Sequence, residues 1–175
     1  MTAGAEWVVH ARELISPGPG GAPARPSQVE LRRAVSAAYY GLFHTLALAG
    51  SSMFGAGGGP LRFQATRAFS HAAMRKVCAA YVRTPLKPFP PGYEHLNTPQ
   101  PTPELLVVAR AFDLLQEGRF LADYDLSVTF ELEDVERLVE LAEAALVAFS
   151  KVQAEPGTVV FLTALLLSDR WTRRG

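Results

Sequence analysis

Apolar residues recur every three or four positions along most of this chain, and no stretch sustains an apolar–polar alternation. That period predicts amphipathic helices and argues against strands. Residues 5–15 read as a short helix, ended by the Pro/Gly-rich stretch 16–26. Ser27-Gln28-Val29-Glu30 has the capping-box pattern, in which a serine caps backbone amides and a glutamate reaches back. It predicts a long helix over 28–49, with Leu31, Val35, Ala38, Leu42 and Leu46 as its apolar stripe. Five glycines in 50–60 predict a flexible loop. A third helix is expected over 61–82, and the seven prolines of 84–103 then exclude helix or central strand. Thr102 and Pro103 suit the cap and first turn of a helix over 103–121, which buries Leu105, Val108, Phe112 and Leu115. Another follows over 132–153, with Val135, Leu138, Val139, Ala142, Leu146 and Phe149 inward and Glu133, Glu136, Arg137, Glu140 and Glu143 in water. The segment 159–167 is apolar all round and is expected to be buried, against the bundle or in a partner.

The expected fold is therefore all-α, an up-and-down bundle of five or six helices. At 175 residues the chain is expected to be one domain, with a core over about 27–167 and an N-terminal helix and linker over 1–26. A hydrophobic content of 49% with 19% charged residues argues for a globular chain and against disorder. No apolar run is long enough to span a bilayer, and the first residues lack the basic lead and apolar stretch of a secretory signal. A lone cysteine, Cys78, allows no intrachain disulfide and suits a cytoplasmic setting.

Net charge is zero but unevenly placed. Residues 1–103 hold ten Lys/Arg and four Asp/Glu, and residues 104–175 hold seven and thirteen, so the two parts carry +6 and −6. That asymmetry gives either a basic face or mutual attraction of the two parts, within a bundle or across a dimer.

Two helices carry chemistry. In LRRAVSAAYYGLFH, residues 31–44, the side chains of Arg33, Tyr40 and His44 fall on one stripe; in LQEGRFLADYD, residues 115–125, Gln116, Arg119 and Asp123 do the same. Each stripe is either a polar seam in a bundle or the lining of a site. Arg67 and His71 are spaced to share one face of the third helix. Other site classes fail: the four histidines and the cysteine show no metal-ligand spacing, and 55–59 lacks the lysine and Ser/Thr of a phosphate loop, so no metal or cofactor is expected. Each candidate has a plainer reading. Arg119 and Asp123 at i,i+4 can pair with each other, His71 can be a hydrogen-bonded core residue, His44 can bond a backbone carbonyl, Tyr39 and Tyr40 can be core aromatics, Arg32 can be solvated, and Cys78 can be a small buried apolar group.

The segment LRRAVSAAYYGLFHTLA resembles the first long helix of the HEPN superfamily (higher eukaryotes and prokaryotes nucleotide-binding domains). RAFSHAAMRKVC resembles an intervening helix of bacterial HEPN-like proteins, and LQEGRFLADYDLSVTF a later one. The resemblance implies two-fold dimers, or pairing with a related helical protein, and metal-independent RNA cleavage in toxin–antitoxin or phage-defence systems. The family pairs an arginine with a histidine four to six residues on, whereas Arg119 is followed by FLADYD. If the chain cleaves RNA, the resemblance and the stripes together point to Arg119, His71 and Arg67 as catalytic, with Arg33, Tyr40, His44, Gln116 and Asp123 binding substrate. The broken motif keeps a second reading open, a catalytically silent HEPN-like module that dimerises or docks a partner.

Overall fold

The computed structural model describes residues 3–16, 25–54, 59–83 and 101–171. These residues form helices and loops with no strand among them: α1 (Ala3–Ile15), α2 (Gln28–Ser52), α3 (Pro60–Arg67), α4 (His71–Val82), α5 (Pro103–Tyr124), α6 (Leu132–Val152) and α7 (Pro156–Trp171). None of the described helices is long and apolar enough to cross a membrane.

The caps are those the sequence asks for. Ser27 Oγ accepts from the Glu30 amide while the Glu30 carboxylate accepts from the Ser27 amide at 2.8 Å, so the box starting α2 is complete. Thr102 caps α5 ahead of Pro103. One expected helix becomes two. The chain leaves helical geometry at Ala68–Ser70, where Phe69 turns inward and Ser70 starts α4 as a side-chain N-cap. Phe69 also explains why α2 outruns its expected end. A Cβ on Gly50 would lie 2.4 Å from the Phe69 Cζ atom, so glycine there seats the ring against the helix instead of opening a loop. The segment 84–100, most of the expected proline-rich loop, lies outside the described residues.

Helix α2 is the central element, packed by α1, α5 and α6, and α5 lies also against α4 and α6. The single core joins all the helices except α3, which buries no residue, around fully buried Tyr39, Leu42, Leu46, Met74, Phe112, Leu115 and Phe161. Every apolar position expected inward on α2 and α5 is buried; on α6, Leu138 and Leu146 are only partly so. Helix α7 packs on α4 through a T-shaped contact of Phe161 with Tyr81, ring centroids 4.9 Å apart, yet Val159 stays 47% exposed, so one side of this apolar helix faces out. Helices α1 and α2 touch at backbone range, because Cβ atoms on Gly4 or Gly41 would lie 2.5 and 2.8 Å from the other's carbonyl oxygen. Arg32 is not the solvated residue its position suggests. Its guanidinium donates to the carbonyls of Leu121, Ala122 and Asp125 at 2.9–3.2 Å and also to that of Val128. It thereby bonds carbonyls of the last turn of α5 and of the turn beyond it, and ties α2 to both.

Candidate functional site

The capped start of α2 sets the phase of its polar stripe. Ser36, Tyr40 and His44 follow at four-residue steps, with Tyr39 and Phe43 one position behind. From α4, His71 enters as the first helical residue, aimed by the Ser70 cap. The last turns of α5 supply Arg119, Asp123 and Tyr124, and α1 supplies Trp7. These side chains form one cluster where α2 meets α1, α4 and α5.

His71 is held on two sides. Its Nδ1 lies 2.5 Å from the Tyr39 hydroxyl, and its ring stacks on Phe43 at 4.1 Å between centroids and 20° between planes. Burial, followed by the positive charge of Arg119 and then His44, pulls the His71 pKa below its ordinary value. Burial raises that of Tyr39, so its phenol keeps its proton near neutrality and is the natural donor to Nδ1. In that tautomer the His71 proton sits on Nε2. His44, also pulled down by burial, makes only ring contacts among the described residues, with Trp7, Tyr40 and Phe43; the expected bond to a backbone carbonyl does not form.

Arg119 has 17% side-chain exposure and sits between two aromatic rings, its guanidinium 5.7 Å from the Tyr40 centroid and 5.2 Å from that of Tyr124. Nη2 donates to both hydroxyls, at 3.1 and 3.4 Å. Nε lies 2.6 Å from Asp123 Oδ2 but points off the hydrogen-bond axis, so the contact is an ion pair and not a directed hydrogen bond. The other Asp123 oxygen accepts from Ser36 Oγ at 2.6 Å. Nη1 has no protein partner among the described residues. The plain i,i+4 pairing of Arg119 with Asp123 is thus present, inside a larger network.

Among the expected site residues, Arg119, His71, Tyr40, His44 and Asp123 come together. Arg67 does not. It stays exposed on α3 over the Phe63 ring, 5.7 Å from its centroid, and the break at Ala68–Ser70 separates it from His71, so the shared helical face does not exist. Gln116 makes no hydrogen bond to the cluster, and its Oε1 is buried without a partner among the described residues. Arg33 stands on the rim. Together with Trp7, Ser36, Tyr40, Ala122 and Asp123 it lines an open groove of about 590 Å³ running along α2 between α1 and the end of α5. Trp7, Ser36 and Phe43 escape the sequence reading. Ser36 had a signal, lying four residues before Tyr40 on the stripe; Trp7 had none beyond being a large aromatic on a short helix.

Cys78 is fully buried, and burial lifts its thiol pKa, as suits a packing residue. Among the described residues no three His, Cys, Asp or Glu side chains converge as metal ligands. The cluster therefore offers one guanidinium with its Nη1 unpartnered among the described residues, two histidines whose neutral forms are favoured, and phenol groups that hold both kinds of side chain in place. No family model, no curated protein and no solved structure matches the chain.

Proposed function

We propose that this chain is an HEPN-type RNA-acting protein in which the Arg119–His71 cluster cleaves RNA without a metal ion. The observation that carries the reading is the meeting of Arg119 and His71 from separate helices, linked through the adjacent rings of Tyr40 and Tyr39 at 5.4 Å. Attack of a ribose 2′-hydroxyl on the neighbouring phosphate crowds charge onto the non-bridging oxygens, and the unpartnered Nη1 of the Arg119 guanidinium can donate to them. A proton must leave the 2′-oxygen and another must reach the departing 5′-oxygen. His71 suits one of these transfers. The Tyr39 hydroxyl both donates and accepts, so Nδ1 stays satisfied in either tautomer and Nε2 is free to give or take the proton. The resemblance adds a homodimer or a related helical partner, and a cytoplasmic toxin–antitoxin or phage-defence setting.

The test compares wild type with Arg119→Ala and His71→Ala on single-stranded RNA in EDTA, with folding checked by circular dichroism. Wild type should cut in EDTA, and loss of the acid/base group should slow cutting by about 10²–10⁴-fold. Cutting that neither change reduces would remove the assignment.

One observation favours a second reading. Asp123 places a carboxylate where a phosphate would approach Arg119, which suits a silent module whose polar seam serves packing and partner docking. Wild type that cuts no RNA while both variants lose thermal stability would select it.

A further inference from the structure

We infer that the groove between α1, α2 and the end of α5 is a subsite for single-stranded RNA, in which a base stacks on Trp7 and the adjoining phosphate pairs with Arg33. The inference rests on the RNA-acting reading and adds α1 to the site. Trp7 is 42% exposed, unusual for the largest apolar side chain on a helix otherwise packed to α2 at backbone range. Its indole lines the groove and is held by tilted contacts with Tyr40 and His44, ring centroids at 5.8 and 6.1 Å, so its position is fixed before a ligand arrives. A braced, half-open indole is a platform for any base, since every base has a π-face.

The charges fit the same occupant. Arg32, next to Arg33 on α2, is spent on backbone carbonyls. Arg33 is exposed and forms no ion pair or hydrogen bond among the described residues, so its charge is available to a ligand. The carboxylate in the groove, Asp123, is already engaged by Arg119 and Ser36. At about 590 Å³ the groove lies within the range of about 300–1,000 Å³ typical of small-ligand sites. Tyr40 and Asp123 line the groove and also touch Arg119, so a strand lying in it runs directly to the Arg119–His71 cluster. A duplex would not fit this chemistry, because its base faces are hidden.

The probe is a fluorescein-labelled, single-stranded 2′-O-methyl oligoadenylate, which lacks the nucleophile for cleavage and so reports binding alone by anisotropy. Wild type should bind it, and duplex RNA should not compete. Trp7→Ala should weaken binding on the order of ten- to a hundredfold, and Trp7→Phe should restore most of the loss. Arg33→Gln, a surface change that leaves folding intact, should lower the slope of log affinity against log salt by about 0.7, the share of one phosphate contact on a single strand. Absence of binding, or binding indifferent to both Trp7→Ala and Arg33→Gln, overturns the subsite. Cleavage of an all-ribose strand, followed in parallel, separates the two ideas. Undiminished cutting by Trp7→Ala and Arg33→Gln sinks the groove and spares the cluster, whereas Trp7-dependent binding without any cutting sinks the cleavage reading and spares the groove.

Discussion

The Tyr39 hydroxyl and Nδ1 of His71 stand 2.5 Å apart, tying the buried middle of α2 to the first residue of α4. Tyr39→Phe keeps the ring and its contacts with Phe43 and Phe112 but deletes this bond and frees Nδ1. The loss should be about 1 kcal/mol in denaturant unfolding. Unchanged stability would mean that water replaces the phenol at no cost.

Both site histidines make stability pH-dependent in a defined window. Burial holds His44 down, and burial, then Arg119 and His44, hold His71 down, so each has a folded-state pKa below the 6.5 of the unfolded chain. Below that pH the unfolded chain binds protons that the folded chain refuses, which favours unfolding. Their contribution is therefore complete above pH 6.5 and lost as pH falls below it. Thermal melts should be level from pH 8 to about 6.5 and then decline, and a His44→Gln/His71→Gln double variant should show a shallower decline. The carboxyls of Glu30, bonded by Ser27, and Asp125, bonded by Ser127, are also held low, but their loss belongs to more acidic pH.

Asp123→Asn discriminates between the two functional readings. It removes the charge facing Arg119 Nε while leaving an oxygen for Ser36. Under the RNA-acting reading the freed guanidinium should bind single-stranded RNA more tightly, on the order of tenfold, the scale of about 1.4 kcal/mol. If the seam is purely structural, RNA binding should stay absent while the melting temperature falls. A filter-binding titration beside a melt reads both.

Gly41→Ala should separate α1 from α2. The added Cβ would sit 2.4 Å from a Val8 methyl and 2.8 Å from the Gly4 carbonyl, and backbone cannot yield as a side-chain tip can. A cost of about 1–3 kcal/mol is expected, with faster proteolysis around α1. A variant as stable as wild type would show that this contact adjusts freely.

Where period and caps agree, the sequence alone reads the fold well. The Ser27–Glu30 box and the Thr102–Pro103 start are local signals, and they place α2 and α5 within a few residues. The break before His71 was less legible. Ser70 has the chemistry of a cap, but helical periodicity runs through 61–82 unbroken, and Phe69 turns inward only because Gly50, distant in sequence, leaves room for its ring. The role of Arg32 is hidden from the sequence for the same reason, since its acceptors lie on the far end of α5 and the turn beyond it. The cluster itself was half legible. Residues sharing a helix with Tyr40 or Arg119 could be grouped by spacing, whereas Trp7 on α1 is joined to them only by packing.

The Arg32 guanidinium fixes α2 to the end of α5 from outside the cluster, through backbone oxygens that exist whatever side chains occupy those positions. The offset between Ser36 or Tyr40 on one helix and Arg119 or Asp123 on the other is therefore held from a second point as well as by the Ser36–Asp123 and Tyr40–Arg119 bonds. Residues lining the site can be exchanged, by drift or by design, while their helices keep the same alignment, so this scaffold can acquire or lose an activity without having to refold around it.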